Sequence, residues 1–233
     1  MSGAVAWFSG RWDPERAAPE AGHRSLALKE LLESLRPGSR HSVLDLGPSV
    51  AANVRFLAAL SCRVRIADLV RAMAAEPVES RRPEAVPALF ERLLPIAPDE
   101  TFDAIFAWDV FDYMRSDQVS CLAERLGRSC RPEAPVLVFV STRRTIPATP
   151  LRHRIVDREN VAHDGPREPT RPCPRYGQHD IQRLMPAFSV RRSFLLRTGI
   201  QEFLLAPGQG VRAQAGAVAA PRTWRPWLRR GPL

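Results

Sequence analysis

The sequence predicts an α/β fold, a doubly wound and mostly parallel sheet closed by an antiparallel C-terminal hairpin. Three observations predict it. Short apolar runs alternate with amphipathic ones from Ser25 to Ser141, the pattern of a parallel sheet with helical crossovers. The run Val43-Leu44-Asp45-Leu46 breaks at Gly47-Pro48 and passes into small residues that open an amphipathic stretch, a buried strand turning tightly into a helix. Near the end, Ser189–Arg197 and Gln201–Ala206 flank Thr198-Gly199, two strand-like runs around a turn.

Taken in order, residues 1–22 mix Gly, Pro, charge and the rings Trp7, Phe8 and Trp12, the composition of a loosely ordered arm. Leu26, Leu28, Leu31, Leu32 and Leu35 recur at helical spacing over Ser25–Leu35, and Pro37-Gly38 ends the helix. After the strand Ser42–Leu46, a helix over Ser49–Leu60 buries Val54, Phe56, Leu57 and Leu60. Arg63–Ala67 is the second strand, with Asp68 at its tip. Glu76–Pro98 is rich in proline and charge, and no strand is legible in it. Phe102–Val110 has the apolar density of a central buried strand leaving at Asp109. A helix over Asp117–Cys130, with Asp117 as candidate cap, leads through a proline turn into the strand Val136–Ser141. Thr142–Gly177 reads as a long, arginine-rich loop, of the length that is functional or disordered. A short helix spans His179–Met185. Beyond Pro207 the composition shifts to Gly, Ala, Pro and Arg, so the organisation is an arm at 1–22, a domain at 23–207 with a basic insertion at 142–177, and a disordered basic tail at 208–233.

At 233 residues and 45% hydrophobic the chain suffices for one sizeable α/β domain. It has no uninterrupted apolar run of about 18 residues and no basic start followed by a long apolar core, so neither a transmembrane helix nor a secretory signal is expected. The four cysteines, Cys62, Cys121, Cys130 and Cys173, lie far apart without a C-x-x-C pair or metal-ligand spacing. Reduced thiols in a cytoplasmic protein without a metal are the expectation. The net charge of +9 is uneven: residues through Phe139 carry 17 basic against 19 acidic side chains, and those from Val140 onward carry 17 arginines against 6 acids. An anionic partner, nucleic acid included, would therefore meet the C-terminal portion.

The strand, acid and glycine turn of Asp45-Leu46-Gly47, together with Asp68 at the next strand tip, resemble the class I S-adenosylmethionine-dependent methyltransferases of the type 11/12-like kind. The Phe102-Asp103 strand and the proline turn before Val136 are similar to that family as well. Ser49 and Ala51, and later Glu133 and Ala134, stand where the family commonly has glycines. The resemblance implies a Rossmann-like sheet of about seven strands and S-adenosylmethionine as cofactor. It implies cofactor contacts from Asp45, Gly47, Ser49, Asn53, Asp68, Leu69 and Trp108, and acceptor contacts from Tyr113 beyond the Phe102–Val110 strand and from Arg143, Arg144 and Arg175 in the segment after the fifth strand. Trp108, Asp109, Phe111, Asp112 and Tyr113 are the residues nearest the chemistry, with Asp109 the candidate catalytic acceptor-orienting group. An alternative for each is structural: Trp108 and Phe111 as core, Asp109 as a helix cap, Asp68 as the cap of the next helix.

The function expected is methyl transfer from S-adenosylmethionine to a small-molecule acceptor, anionic if the insertion's arginines converge beside Asp109. Two alternatives stand beside it. One is a non-catalytic, methyltransferase-like binding or scaffold protein, and the other a nucleic-acid-directed methyltransferase acting through the basic C-terminal portion.

Overall fold

The computed structural model describes residues 21–208. The arm expected before residue 21 and the basic tail expected after residue 208 lie outside the described residues. Among the described residues, eleven strands and six α-helices follow in the order β1 (Ala21–Arg24), α1 (Leu26–Ser34), β2 (His41–Asp45), α2 (Ala51–Ala59), β3 (Cys62–Ile66), α3 (Leu69–Ala75), α4 (Val86–Leu93), β4 (Ala104–Trp108) and α5 (Ser116–Ser129). Then come β5 (Val136–Ser141), β6 (Thr145–Pro147), β7 (Arg152–Ile155), β8 (Asn160–Asp164), β9 (Thr170–Pro172), α6 (Gln178–Leu184), β10 (Phe188–Leu195) and β11 (Ile200–Pro207).

The central sheet has the order β10-β11-β5-β4-β2-β3. β2, β3, β4 and β5 run parallel, while β11 is antiparallel to both β5 and β10. The alternation of side chains across a strand assigns each to one of two cores. Val43, Ala104, Phe106, Leu137, Phe139 and Leu204 pack with Leu28, Leu31 and Leu32 of α1 and Leu57 of α2. Their neighbours Leu44, Ile105, Ala107, Val136, Val138 and Phe203 face the opposite way, against Leu69, Phe90, Leu122, Leu126 and Ile181 of the other four helices. A sheet covered on both faces is what makes β4 and β5 read as unbroken apolar runs.

Several boundaries have local causes. Ser25 caps α1, its hydroxyl accepting from Leu28 N at 3.1 Å. Leu26, placed by spacing on the apolar face, is 37% exposed. α5 begins one residue before Asp117: Gln118 Oε1 accepts from Arg115 N at 2.9 Å, and Asp117 pairs with Arg115 instead of capping.

Two expectations need correction. The sheet has six strands among the described residues, not seven, because the proline-broken stretch after α3 forms two 3-10 turns, at Glu79–Arg81 and Pro83–Ala85, before α4 and leaves β3 at the edge. The 142–177 segment is a structured insertion and not an irregular loop. β7 and β8 join β1 in a three-stranded antiparallel sheet, and β6 pairs with β9. This small sheet is clamped to α2 by Asn53, whose amide donates to His153 O and accepts from Ile155 N, both at 2.8 Å. Glu202 of β11, fully buried, ties β1 to the main sheet through His23 Nε2 at 2.9 Å.

Candidate functional site

The turn after β2 sits at the carboxyl edge of the sheet, where β2 is flanked by β3 on one side and β4 on the other. Chain direction diverges there, the usual place for a crevice in an open α/β sheet. Asp45 is 2% exposed and its Oδ1 accepts from Gly47 N at 3.0 Å and from the Trp108 indole Nε1 at 2.8 Å. Burial pushes its carboxyl up to about 6, offset in part by those two hydrogen bonds, with the Asp68 charge a smaller upward influence. Asp68 itself is half-buried with φ +41°, a conformation aspartate tolerates. Leu69 is buried and donates its N–H to Leu46 O; Ser49 is exposed.

Trp108 decides how open this turn is. It ends β4 with φ +47°, 2% exposed, a left-handed backbone that costs a bulky residue about 1–3 kcal/mol. The strain lets the indole lie on Gly47, where an added Cβ would meet Trp108 Cδ1 at 2.6 Å. Its other neighbours complete an aromatic stack: His153 parallel at 5.3 Å and 9°, Phe139 edge-on at 5.6 Å. Glycine is therefore required at position 47 by the protein's own ring. Trp108 is thus a core residue, as its structural alternative has it, and one that also lies on the Gly47 turn.

Beside this stack a cavity of about 380 Å³ opens between the ends of β4 and β5 and the insertion. Asp109, Asp112 and Tyr113 contribute from the residues after β4, Ser141 and Arg143 from the end of β5, and His153, His163 and Arg167 from the insertion. Asp109 stands at the cap position of the 3-10 turn Val110–Tyr113, but its side chain makes no capping bond. Its Oδ1 lies 3.4 Å from His153 Nε2 and has no hydrogen-bond partner. Asp112, 2% exposed, accepts from Ser141 N through Oδ2 at 2.8 Å, while its Oδ1 is unpartnered. Burial, then the Asp109 charge, push its carboxyl up to about 8. Both ring nitrogens of His153 and Nδ1 of His163 are also buried without partners, and burial lowers His163 to about 4. Among the described residues, no group of three or more His, Cys, Asp or Glu side chains is arranged to hold a metal ion.

The remaining candidates divide. Tyr113 lines the cavity, but its hydroxyl is shared between Pro147 O and Thr149 O, both at 3.1 Å, so it rivets the insertion. Arg143 lines the cavity and donates to Thr198 O. Arg144 and Arg175 are exposed and not among its lining residues. Asn53 has both ends of its amide committed to β7, so it positions the insertion and presents nothing to a ligand. Of the eight arginines between 142 and 177, Arg143 and Arg167 reach the cavity wall; the floor beside Asp109 is acidic. Glu168, which lines the cavity, and the His23–Glu202 pair were not singled out from the sequence. An acid inside an apolar strand run, Gln201–Ala206, was the available signal for Glu202.

No protein-family model matches the sequence, and no curated protein is significantly similar to it. Solved structures with a related chain path include an S-adenosylmethionine-dependent methyltransferase from Clostridium acetobutylicum, at 12% identity over 78% of this chain and 91% of that one, with a TM-score of 0.46. An amino pentose methyltransferase from Micromonospora echinaspora, with S-adenosylmethionine bound, gives 13%, 78%, 89% and 0.45. An N-methyltransferase from Bradyrhizobium japonicum gives 14%, 78%, 94% and 0.43. Likenesses this remote assign no chemistry to the present chain.

Proposed function

We propose that this chain is an S-adenosylmethionine-dependent methyltransferase acting on a small-molecule acceptor. The observation that carries the reading is the Asp45-Leu46-Gly47 turn at the divergence point of the sheet, with Asp68 at the neighbouring strand tip and an acid-floored cavity on the far side of Trp108. Asp45, Gly47 and Ser49 would hold the amino-acid end of the cofactor, and Asp68 with Leu69 its ribose side. The cofactor, when bound, supplies a methyl group activated by a sulfonium.

The chain's own part is positioning and proton handling. Asp109 Oδ1, unpartnered at the cavity wall, takes the acceptor's proton as the acceptor bonds to carbon. In the ligand-free protein Asp112 keeps its proton up to about 8 and is the hydrogen-bond donor of the pair. Trp108 covers Gly47 and must swing aside for a ligand to reach that turn.

A second reading, the non-catalytic scaffold, is favoured by that same indole, since Trp108 already fills the space over Gly47 and satisfies Asp45. Isothermal calorimetry with S-adenosylmethionine on the wild type and Trp108→Ala separates the two. Saturable one-to-one heat in the wild type, with a change in tryptophan emission lost in Trp108→Phe, is the expected result. Heat in Trp108→Ala alone supports the scaffold, and saturable heat in neither protein overturns the methyltransferase.

A further inference from the structure

The cavity beside Trp108 has an unusual inventory. Its floor holds four groups whose buried atoms want a hydrogen-bond partner: Asp109 Oδ1, Asp112 Oδ1, both nitrogens of His153, and His163 Nδ1. Asp112 and His153 are 2% and 4% exposed, so solvent does not simply wash them, and a buried polar atom left unpaired costs on the order of 1–3 kcal/mol. Neither acid pairs with an arginine among the described residues. Asp109 has His153 at 3.4 Å, and Asp112 accepts from Ser141 N. The walls above are apolar, built by Phe139, Val140, Ile146, Leu151 and Ile200.

Two carboxyl groups, neither facing an arginine among the described residues, set acceptor oxygens and negative charge at the cavity floor. The complement is a group with several N–H donors and a positive charge, which an ammonium has and a hydroxyl or carboxylate lacks. We propose that this cavity is a receptor for a small amine with an apolar body, its ammonium seated between Asp109 and Asp112 and its hydrocarbon against Phe139, Ile146 and Leu151. This names the substrate class of the acceptor site and rests on the preceding reading only in making the amine a methyl acceptor, for which the ammonium must first give up a proton so that its nitrogen lone pair is free. Arg143 and Arg167, exposed at the cavity wall, are left for any anionic end the amine carries.

Seating a cation beside Asp112 also favours its charged form, so binding near neutral pH should expel a proton from that carboxyl. The titratable groups facing Asp112 are Asp109, Tyr113 and Cys173. Burial holds the Tyr113 phenol and the Cys173 thiol above their ordinary ranges, so neither supplies the proton released at neutral pH.

The experiment uses phenethylamine, with phenethyl alcohol as its neutral isostere and hydrocinnamate as an anion of like body, titrated into the full chain near pH 7 without any cofactor. The amine is expected to bind at least about tenfold more tightly than the alcohol, which is about 1.4 kcal/mol. Repeating the calorimetry in two buffers of different ionisation heat should read proton release in the wild type and none in Asp112→Asn. Asp109→Asn should remove the preference for amine over alcohol. Tighter binding of hydrocinnamate, equal binding of amine and alcohol, or no binding of any of the three overturns the proposal. The comparison among ligands needs no variant to fold. Because no cofactor is added, its failure leaves methyl transfer untouched, and a failure to bind S-adenosylmethionine leaves amine binding untouched.

Discussion

Asp112→Asn should change the way stability depends on pH more than it changes stability itself. In the fold the carboxyl is 2% exposed and titrates at about 8; in the unfolded chain it titrates near 4. The folded-state value is raised, so the native protein binds the extra proton. That contribution is fully present below about pH 4 and is lost as pH rises through the folded value. At about 1.4 kcal/mol for each pH unit between the two values, the whole loss is on the order of 5 kcal/mol. The adjoining cavity admits water and lowers it, so a change of about 2–5 kcal/mol is expected. Asparagine keeps the shape and can still accept from Ser141 N, as Oδ2 does now, but cannot titrate. Urea unfolding near pH 5 and near pH 9, for both proteins, isolates the effect from Asp45 and the thiols. The wild type should be the more stable at the acid end relative to the variant, and the variant should gain by the stated amount at the alkaline end. A stability difference between the two that stays constant within about 0.5 kcal/mol refutes the buried, proton-holding Asp112 and with it the donor role assigned to it.

Two further outcomes follow from contacts at the same edge of the sheet. Gly47→Ala places a methyl 2.6 Å from Trp108 Cδ1 and should cost about 1–3 kcal/mol in the wild type. The same change made in Trp108→Ala should cost little, and a double-mutant cycle on denaturant midpoints reads the coupling; strict additivity would mean that the ring does not lie on the turn. Asn53→Ala strands His153 O and Ile155 N and should lose about 2–4 kcal/mol. Hydrogen exchange should show the Ile155 amide losing protection while β4 and β5 keep theirs; unchanged protection at Ile155 would rule out the clamp.

What the sequence made legible follows from where the burial lies. β4 and β5 are covered on both faces, so Ala104–Trp108 and Val136–Ser141 carry apolar residues at every position, and the pattern alone locates them. β7 and β8 are written RHRI and NVAHD. Their strand character comes from pairing with each other and with β1, not from local propensity, so the segment reads as polar loop. The missing seventh strand was visible as an absence, since Glu76–Pro98 contains prolines where a buried strand could not carry them. At the site, Asp45, Asp109 and Asp112 were marked by position at strand exits. The identity of the ring on Gly47 was not recoverable, because the φ of +47° that aims Trp108 is a tertiary effect. Asn53 misled for a similar reason: its place near a helix start fits a ligand contact, and only the insertion, about 100 residues away, shows what it holds.

The antiparallel join of Ala21–Arg24 to Asn160–Asp164 has a consequence for biosynthesis. Residue 22 leaves the ribosome about 140 residues before its partner does, an interval of roughly 10–30 s at ordinary translation rates. During that time the four-residue segment has no ladder to enter, and Gly22, which packs against Val161 O and lines the cavity, has nothing to close against. The cavity wall at Gly22 therefore cannot form until residues 160–164 have been made, and the wall at Thr198–Ile200 follows later still.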